Sequence, residues 1–169
     1  MTEFTEIHPT EITDNAIKLI GKDWMLITAG TPDKFNMMTA SWGGIGNLWR
    51  GPVAFAFVRH QRYTFPLMEA NSHFTLTFYD AGWRDMLNFC GTKSGRDVDK
   101  VAATGLTPVE GATGAVYFAE ARLVLECRKI YAQDLKAENF VVPEFDSQFY
   151  AAKDYHKLYV GEIVRCLTK

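Results

Sequence analysis

Hydrophobic positions in this chain recur mostly with a period of two, in short runs broken by glycine, proline and polar residues. That period places alternate side chains on opposite faces of a strand. Residues 74–79 alternate Phe74, Leu76 and Phe78 with Thr75 and Thr77. Residues 121–132 set Leu123, Leu125 and Cys127 against Val124, Glu126 and Arg128. Residues 158–167 set Tyr159, Gly161, Ile163 and Arg165 against Val160, Glu162 and Val164. After Pro52, residues 53–58 form an apolar run short enough for a buried strand. Strands are also expected over 24–29, closed by Gly30-Thr31-Pro32-Asp33, and over 37–42. Gly43, Gly44 and Gly46 are expected to break regular structure after that.

Helical signals are fewer. Residues 15–20 read as a short helix with Asp14 as its cap and Gly21 as its end. A helical turn is expected over 65–70, and helices over 84–89 and 98–103, the last ended by Gly105. Many strands of uneven length with few helices predict a mainly β fold, a β-barrel with short helices. Closing the barrel would remove exposed sheet edges.

Composition narrows the picture. The 169 residues fit a single domain over 1–169, with no repeat or linker. A hydrophobic share of 47% against 22% charged residues is that of a globular chain, not a disordered one. A net charge of -2 gives no global attraction to nucleic acid or to an anionic membrane. Cys90, Cys127 and Cys166 are odd in number and far apart, which argues against a disulfide framework or a zinc ribbon. The N-terminal stretch carries Glu3, Glu6 and Glu11 and does not read as a signal peptide. No apolar stretch approaches the ~20 residues of a membrane helix. A cytoplasmic location is therefore expected.

Several chemistries find no support. Gly44-Ile45-Gly46 lacks the third glycine and the βαβ setting of a dinucleotide fold. There is no P-loop and no nucleophile elbow. His8, His60, His73 and His156 are scattered, so no metal site is expected.

Four stretches carry candidate chemistry. Asn36-Met37-Met38-Thr39-Ala40-Ser41-Trp42 alternates small polar with apolar residues beside an indole. Such a stretch can offer edge donors and an apolar wall to a planar heterocycle; it equally fits an amphipathic strand with solvated hydroxyls. Arg59-His60-Gln61-Arg62-Tyr63-Thr64 supplies two guanidinium groups near a helix start. That suits a phosphate, or a solvated basic loop. The stretch from Asn88 and Cys90 through Ser94 and Gly95 to Lys100 is a polar, glycine-containing helix entry with three basic residues. It suits an anion nest, or a turn with a cap at Asp97. Tyr155-His156 is either a proton donor or ligand gate, or a structural pair.

In this order and spacing, the first three stretches together with Thr104-Gly-Leu-Thr107 resemble the flavin reductase-like family, closest to its flavoredoxin branch. The resemblance runs from about Ile20 to the C-terminus. It implies an FMN-binding split β-barrel that works as a homodimer, with flavin near the subunit interface. By that resemblance Thr39, Ala40, Ser41 and Trp42 lie along the isoalloxazine and ribityl chain. Arg59, Arg62, Tyr63 and Thr64 surround the phosphate. Asn88, Cys90, Ser94, Gly95 and Lys100 add contacts, and Tyr155 and His156 lie where the partner subunit covers the flavin. The implied activity is NAD(P)H-dependent reduction of flavin, or passage of electrons through FMN to a small-molecule or ferric acceptor. The other reading is an electron carrier serving redox-protein partners. In neither does a side chain act as nucleophile or general acid, so no catalytic residue is expected.

Overall fold

A computed structural model describes residues 3–169. Its strands and helices, in chain order, are β1 (Thr5–Ile7), α1 (Ala16–Lys18), β2 (Met25–Thr31), β3 (Lys34–Ala40), β4 (Gly43–Leu48) and β5 (Gly51–Arg59). There follow α2 (Thr64–Ala70), β6 (His73–Phe78), α3 (Arg84–Thr92), α4 (Lys100–Thr104), β7 (Pro108–Glu110) and β8 (Val116–Phe118). The chain ends with β9 (Leu123–Asp134), α5 (Pro143–Phe149) and β10 (His156–Thr168). The fold is mainly β with short helices, as the alternation predicts. No helix among the described residues is long and apolar enough to cross a membrane.

The main sheet is antiparallel in the order β3-β2-β6-β9-β10-β5-β4. β10 is its hub. It pairs along its length with β9, through residues 156–162 with β5, and through 166–168 with β1. Strands from the whole sheet feed one apolar cluster. Met25 and Ile27 (β2), Met38 (β3), Ala56 and Val58 (β5), Phe74 and Leu76 (β6), Leu125 (β9) and Tyr159 (β10) all belong to it. A sheet that shares one interior across all these strands is curled into a barrel. Its terminal strands β3 and β4 are not hydrogen-bonded to each other among the described residues, so the barrel is split along that seam.

A second cluster covers the outside of β2, β3 and β9. Leu26, Met37 and Val124 point outward there and meet Met86, Leu87 and Cys90 of α3 and Phe118 of β8. Both faces of β2 are thus buried, which explains its nearly unbroken apolar sequence.

The glycine stretch departs from expectation, because Gly43, Gly44 and Gly46 lie within strand β4. They permit a close approach to β5. A Cβ on Gly43 would stand 2.7 Å from the Phe55 carbonyl oxygen, and one on Gly44 would stand 3.1 Å from the Phe55 ring. The aromatic ring covers the place that side chains would take. Gly161 serves a similar purpose in β10, where a Cβ would stand 2.6 Å from Phe74 and 2.7 Å from Cys127, at a register shift.

Other ends also differ. Asn15, not Asp14, caps α1, accepting from the Lys18 amide at 3.0 Å. Asp14 is drawn off by Arg122, 2.7 Å away. Gly21 does not stop the helix, which continues as a π-type turn to Asp23. Asp99, not Asp97, caps α4. Gly105 ends that helix as expected, at φ +71°.

Candidate functional site

Two clefts meet at Arg62. The first, about 210 Å³, lies at the seam where β3 leads into β4. Its floor is the backbone stretch from Met38 through Thr39, Ala40 and Ser41 to Trp42, and its walls are Phe57, Arg59, Arg62 and His156. The second, about 150 Å³, lies between the β5–α2 turn and the α3–α4 connection. Arg62, Lys93, Arg96 and Lys100 line it together with Asn36, Gln61, Tyr63, Thr92, Ser94 and Gly95. Four cations and no carboxylate border this space.

Lys100 is buried, and its ammonium donates to the carbonyls of Met37 and Cys90, both at 2.8 Å. An ammonium has three donors. Burial, aided by the nearby Arg62 charge, brings its pKa down to about 8. Arg62 donates from Nη1 to the Gly91 carbonyl at 3.1 Å, while its buried Nη2 has no hydrogen-bond partner. Burial and the Arg59 charge lower the Arg62 pKa as well. Neither Arg62 nor Lys100 forms an ion pair among the described residues. Two buried cations without a carboxylate are costly unless an anion joins them. A phosphate fits that demand.

Gly95 is required by packing. A Cβ there would fall 2.1 Å from the Asn36 Oδ1 and 2.8 Å from the Tyr63 ring. This closeness brings the Ser94–Gly95–Arg96 turn against β3. The Arg96 guanidinium sits 5.2 Å from the Tyr63 ring centroid. Asn36 in turn donates to the Thr64 hydroxyl at 2.8 Å, tying β3 to the start of α2.

At the seam cleft the walls are aromatic. The Trp42 ring lies 5.2 Å from His156 and 5.6 Å, edge-on, from Phe149. His156 shares a hydrogen bond with the Tyr150 hydroxyl through Nδ1 at 2.8 Å. Burial and the Arg59 charge lower its pKa to about 4, so it is neutral at ordinary pH. Arg59 reaches across to Asp154 and to the Phe149 carbonyl, at 3.2 Å from the latter. Gln61 also donates to Asp154 at 2.8 Å, and these donors hold that carboxyl below the usual range. Arg59 thus anchors the segment between β9 and β10 beside the cleft.

The sequence-derived candidates sort clearly. Thr39, Ala40, Ser41, Trp42, Arg59 and Arg62 line the seam cleft, and Arg62, Tyr63, Ser94, Gly95 and Lys100 line the cationic one. Thr64 stands behind the cationic cleft, fully buried and engaged by Asn36. The Thr39 hydroxyl is committed to the Leu87 carbonyl. Cys90 is buried against Met86, its thiol pKa is raised by burial, and only its carbonyl reaches the site, through Lys100. Asn88 is exposed on α3 and lines neither cleft. Phe57 and Asp154 join the site without having been singled out. Asp154 is 95 residues from Arg59, and no local pattern connects them.

The sequence profile of the flavin reductase like domain matches residues 18–169. No curated protein matches the chain significantly. Among solved structures, flavoredoxin from Methanosarcina acetivorans is similar at 25% identity and a TM-score of 0.67, over 87% of this chain and 68% of that one. Flavoredoxin of Desulfovibrio vulgaris (Miyazaki F) matches at 21% identity and a TM-score of 0.68, over 96% and 77%. The NADH:FAD oxidoreductase SgcE6 of Streptomyces globisporus C-1027 matches at 18% and 0.66, over 87% and 74%. The profile spans most of the chain, and the barrel with its seam accounts for the likeness in fold: the chain belongs to the flavin reductase like domain family.

Proposed function

We propose that the chain binds FMN across the two clefts and acts as a flavin-dependent oxidoreductase supplied by NAD(P)H. The observation that carries this reading is the junction at Arg62. It borders an aromatic-walled cleft on one side and a carboxylate-free cationic cleft on the other, and its Nη2 has no partner. FMN has the same division, a flat ring system at one end and a phosphate at the other.

Arg62, Lys100 and the Ser94–Gly95–Arg96 turn would hold the phosphate. Ala40 and Ser41 would meet the ribityl chain and ring edge, and Trp42, Phe57 and His156 would wall the ring. Bound flavin supplies hydride and electron acceptance. The protein's part is to orient it and exclude water. A neutral His156 adds no charge beside the ring, and Arg59 is compensated by Asp154. The electrons then pass to free flavin or a ferric acceptor.

Trp42, Val142, Phe145 and Phe149 are exposed at or near the seam cleft. An apolar group of this kind supports a homodimer whose partner covers the cleft. The likeness to flavoredoxin supports a second reading, an electron carrier for redox proteins.

Anaerobic mixing of the FMN-loaded protein with NADH or NADPH separates the two. Rapid loss of flavin absorbance is expected. Retained colour, with bleaching only by a reduced redox protein, would establish the carrier reading. A protein that takes up no flavin would sink both.

A further inference from the structure

The largest cavity in the structure, about 680 Å³, is not part of the site described so far, yet it opens directly from it. It shares Asn36, Tyr63, Gly95, Arg96 and Lys100 with the cationic cleft. It then continues past the β2–β3 turn, with Asp33 and Lys34, to Val98, Asp99 and Pro108. Its volume is in the range of small-molecule sites, about 300–1,000 Å³. FMN phosphate held at Arg62 and Lys100 would leave this space empty.

We propose that the groove receives the adenosine monophosphate part of FAD, so that the site takes the dinucleotide as well as FMN. This rests on the flavin reading above. Several observations favour it. The groove begins where the flavin phosphate would end, which is the place a pyrophosphate continues. Arg96 and Lys100 border both spaces and lie within reach of a second phosphate. Lys34 is exposed at the groove and forms no ion pair among the described residues. Beyond the shared border the lining changes character. Phe35, Val98, Val101 and Pro108 offer apolar surface to a purine face, while Asp33 and Asp97 offer acceptors to ribose hydroxyls. A bare inorganic anion would need none of the apolar wall.

Continuity with the flavin phosphate site assigns the groove to a flavin dinucleotide. A nicotinamide dinucleotide carries the same adenosine diphosphate chemistry, and the test separates the two. The experiment measures FMN, FAD and NADH binding to the full chain, and to Lys34→Glu and Pro108→Trp, by flavin fluorescence and calorimetry. Both positions are exposed and neither lines the FMN clefts. Thermal melts confirm that the variants fold.

The unmodified protein is expected to bind FAD at least as tightly as FMN. Each variant is expected to weaken FAD about tenfold or more while leaving FMN unchanged. FAD binding more than tenfold weaker than FMN overturns the proposal and leaves the flavin reading intact. So does a loss common to both flavins, or no loss at all. If NADH, not FAD, responds to the two substitutions, the groove belongs to the nicotinamide donor and the proposal fails. If no flavin binds, the functional reading fails and takes this one with it.

Discussion

Arg62 and Lys100 share the wall of one cleft as buried cations, and each lowers its ionisation against burial with only backbone carbonyls for company. The pair is stable at a cost that a bound dianion would remove.

Replacing Arg62 with alanine is expected to weaken FMN by about 1.5–3 kcal/mol, the range for a hydrogen bond to a charged group. That is roughly tenfold or more in Kd. Riboflavin lacks the phosphate, and its binding should barely change. Titration of both ligands checks this, and equal losses would mean that Arg62 acts through the fold.

Lys100 gives a pH signature. Its folded pKa of about 8 lies below the ordinary 10.5, so between those values the unfolded chain holds a proton that the folded chain has lost. Its contribution to stability therefore rises with pH across that window. FMN phosphate favours the charged ammonium, so affinity should be greatest below about pH 8 and fall above it. Calorimetry in buffers of different ionisation enthalpy should show proton uptake on FMN binding at about pH 9. Lys100→Met should abolish that uptake.

His156 gives the opposite slope. Its folded pKa of about 4 lies below the ordinary 6.5, so as pH falls through that interval the unfolded chain gains a proton first. Stability should decline between pH 6.5 and about 4, and His156→Gln should flatten the decline. Melting temperature against pH measures both. Tyr150→Phe removes the partner hydroxyl and should cost about 1 kcal/mol.

Gly95→Ala forces a Cβ to 2.1 Å from the Asn36 Oδ1. Either the turn retreats or Asn36 leaves Thr64. A destabilisation of about 1–3 kcal/mol is expected, as for other overpacked sites. FMN affinity should fall more steeply than riboflavin affinity. An unchanged melt and unchanged binding would show the turn to be more pliable than its packing indicates.

If the partner subunit covers the seam cleft, flavin binding and dimerisation strengthen each other by the same free energy. Sedimentation at the flavin absorbance should then show FMN leaving as the dimer dissociates on dilution. Excess FMN should shift that midpoint to lower protein concentration. A monomer that keeps its flavin would refute the shared site.

Much of the barrel was legible because its strands obey a period of two. Residues 74–79 and 158–167 match β6 and β10 within two residues at either end. The apolar run 53–58 matches β5. Strand β4 was hidden because its inward contacts come from Phe55 on the neighbouring strand, not from its own glycines. β1 has only three residues and exists through its pairing with β10, far away in sequence. The helix α5 and its contacts with Trp42 gave no amphipathic signal to read.

The site divides in the same way. The three candidate stretches do converge, because the seam and the α3–α4 connection bring them to Arg62. What sequence spacing could not show was which atoms are already spoken for. The Thr39 hydroxyl and the Cys90 thiol look reactive on paper, but one is bonded to Leu87 and the other is packed against Met86. Arg59 looked like a phosphate ligand, yet it holds Asp154.

The seam between β3 and β4 makes the barrel unevenly stitched. Every other neighbour along the sheet is fastened by a ladder, whereas these two edges meet only through the short link at Ser41 and Trp42. Parting them breaks no rung. The walls of the ring cleft can therefore breathe apart while the rest of the barrel stays shut, which lets a flat ligand enter sideways. Once lodged, that ligand acts as mortar, fastening two edges that the backbone leaves loose. Amide exchange should register this as protection gained around Ala40 to Gly43 when flavin is added, with the β9–β10 ladder already slow in its absence.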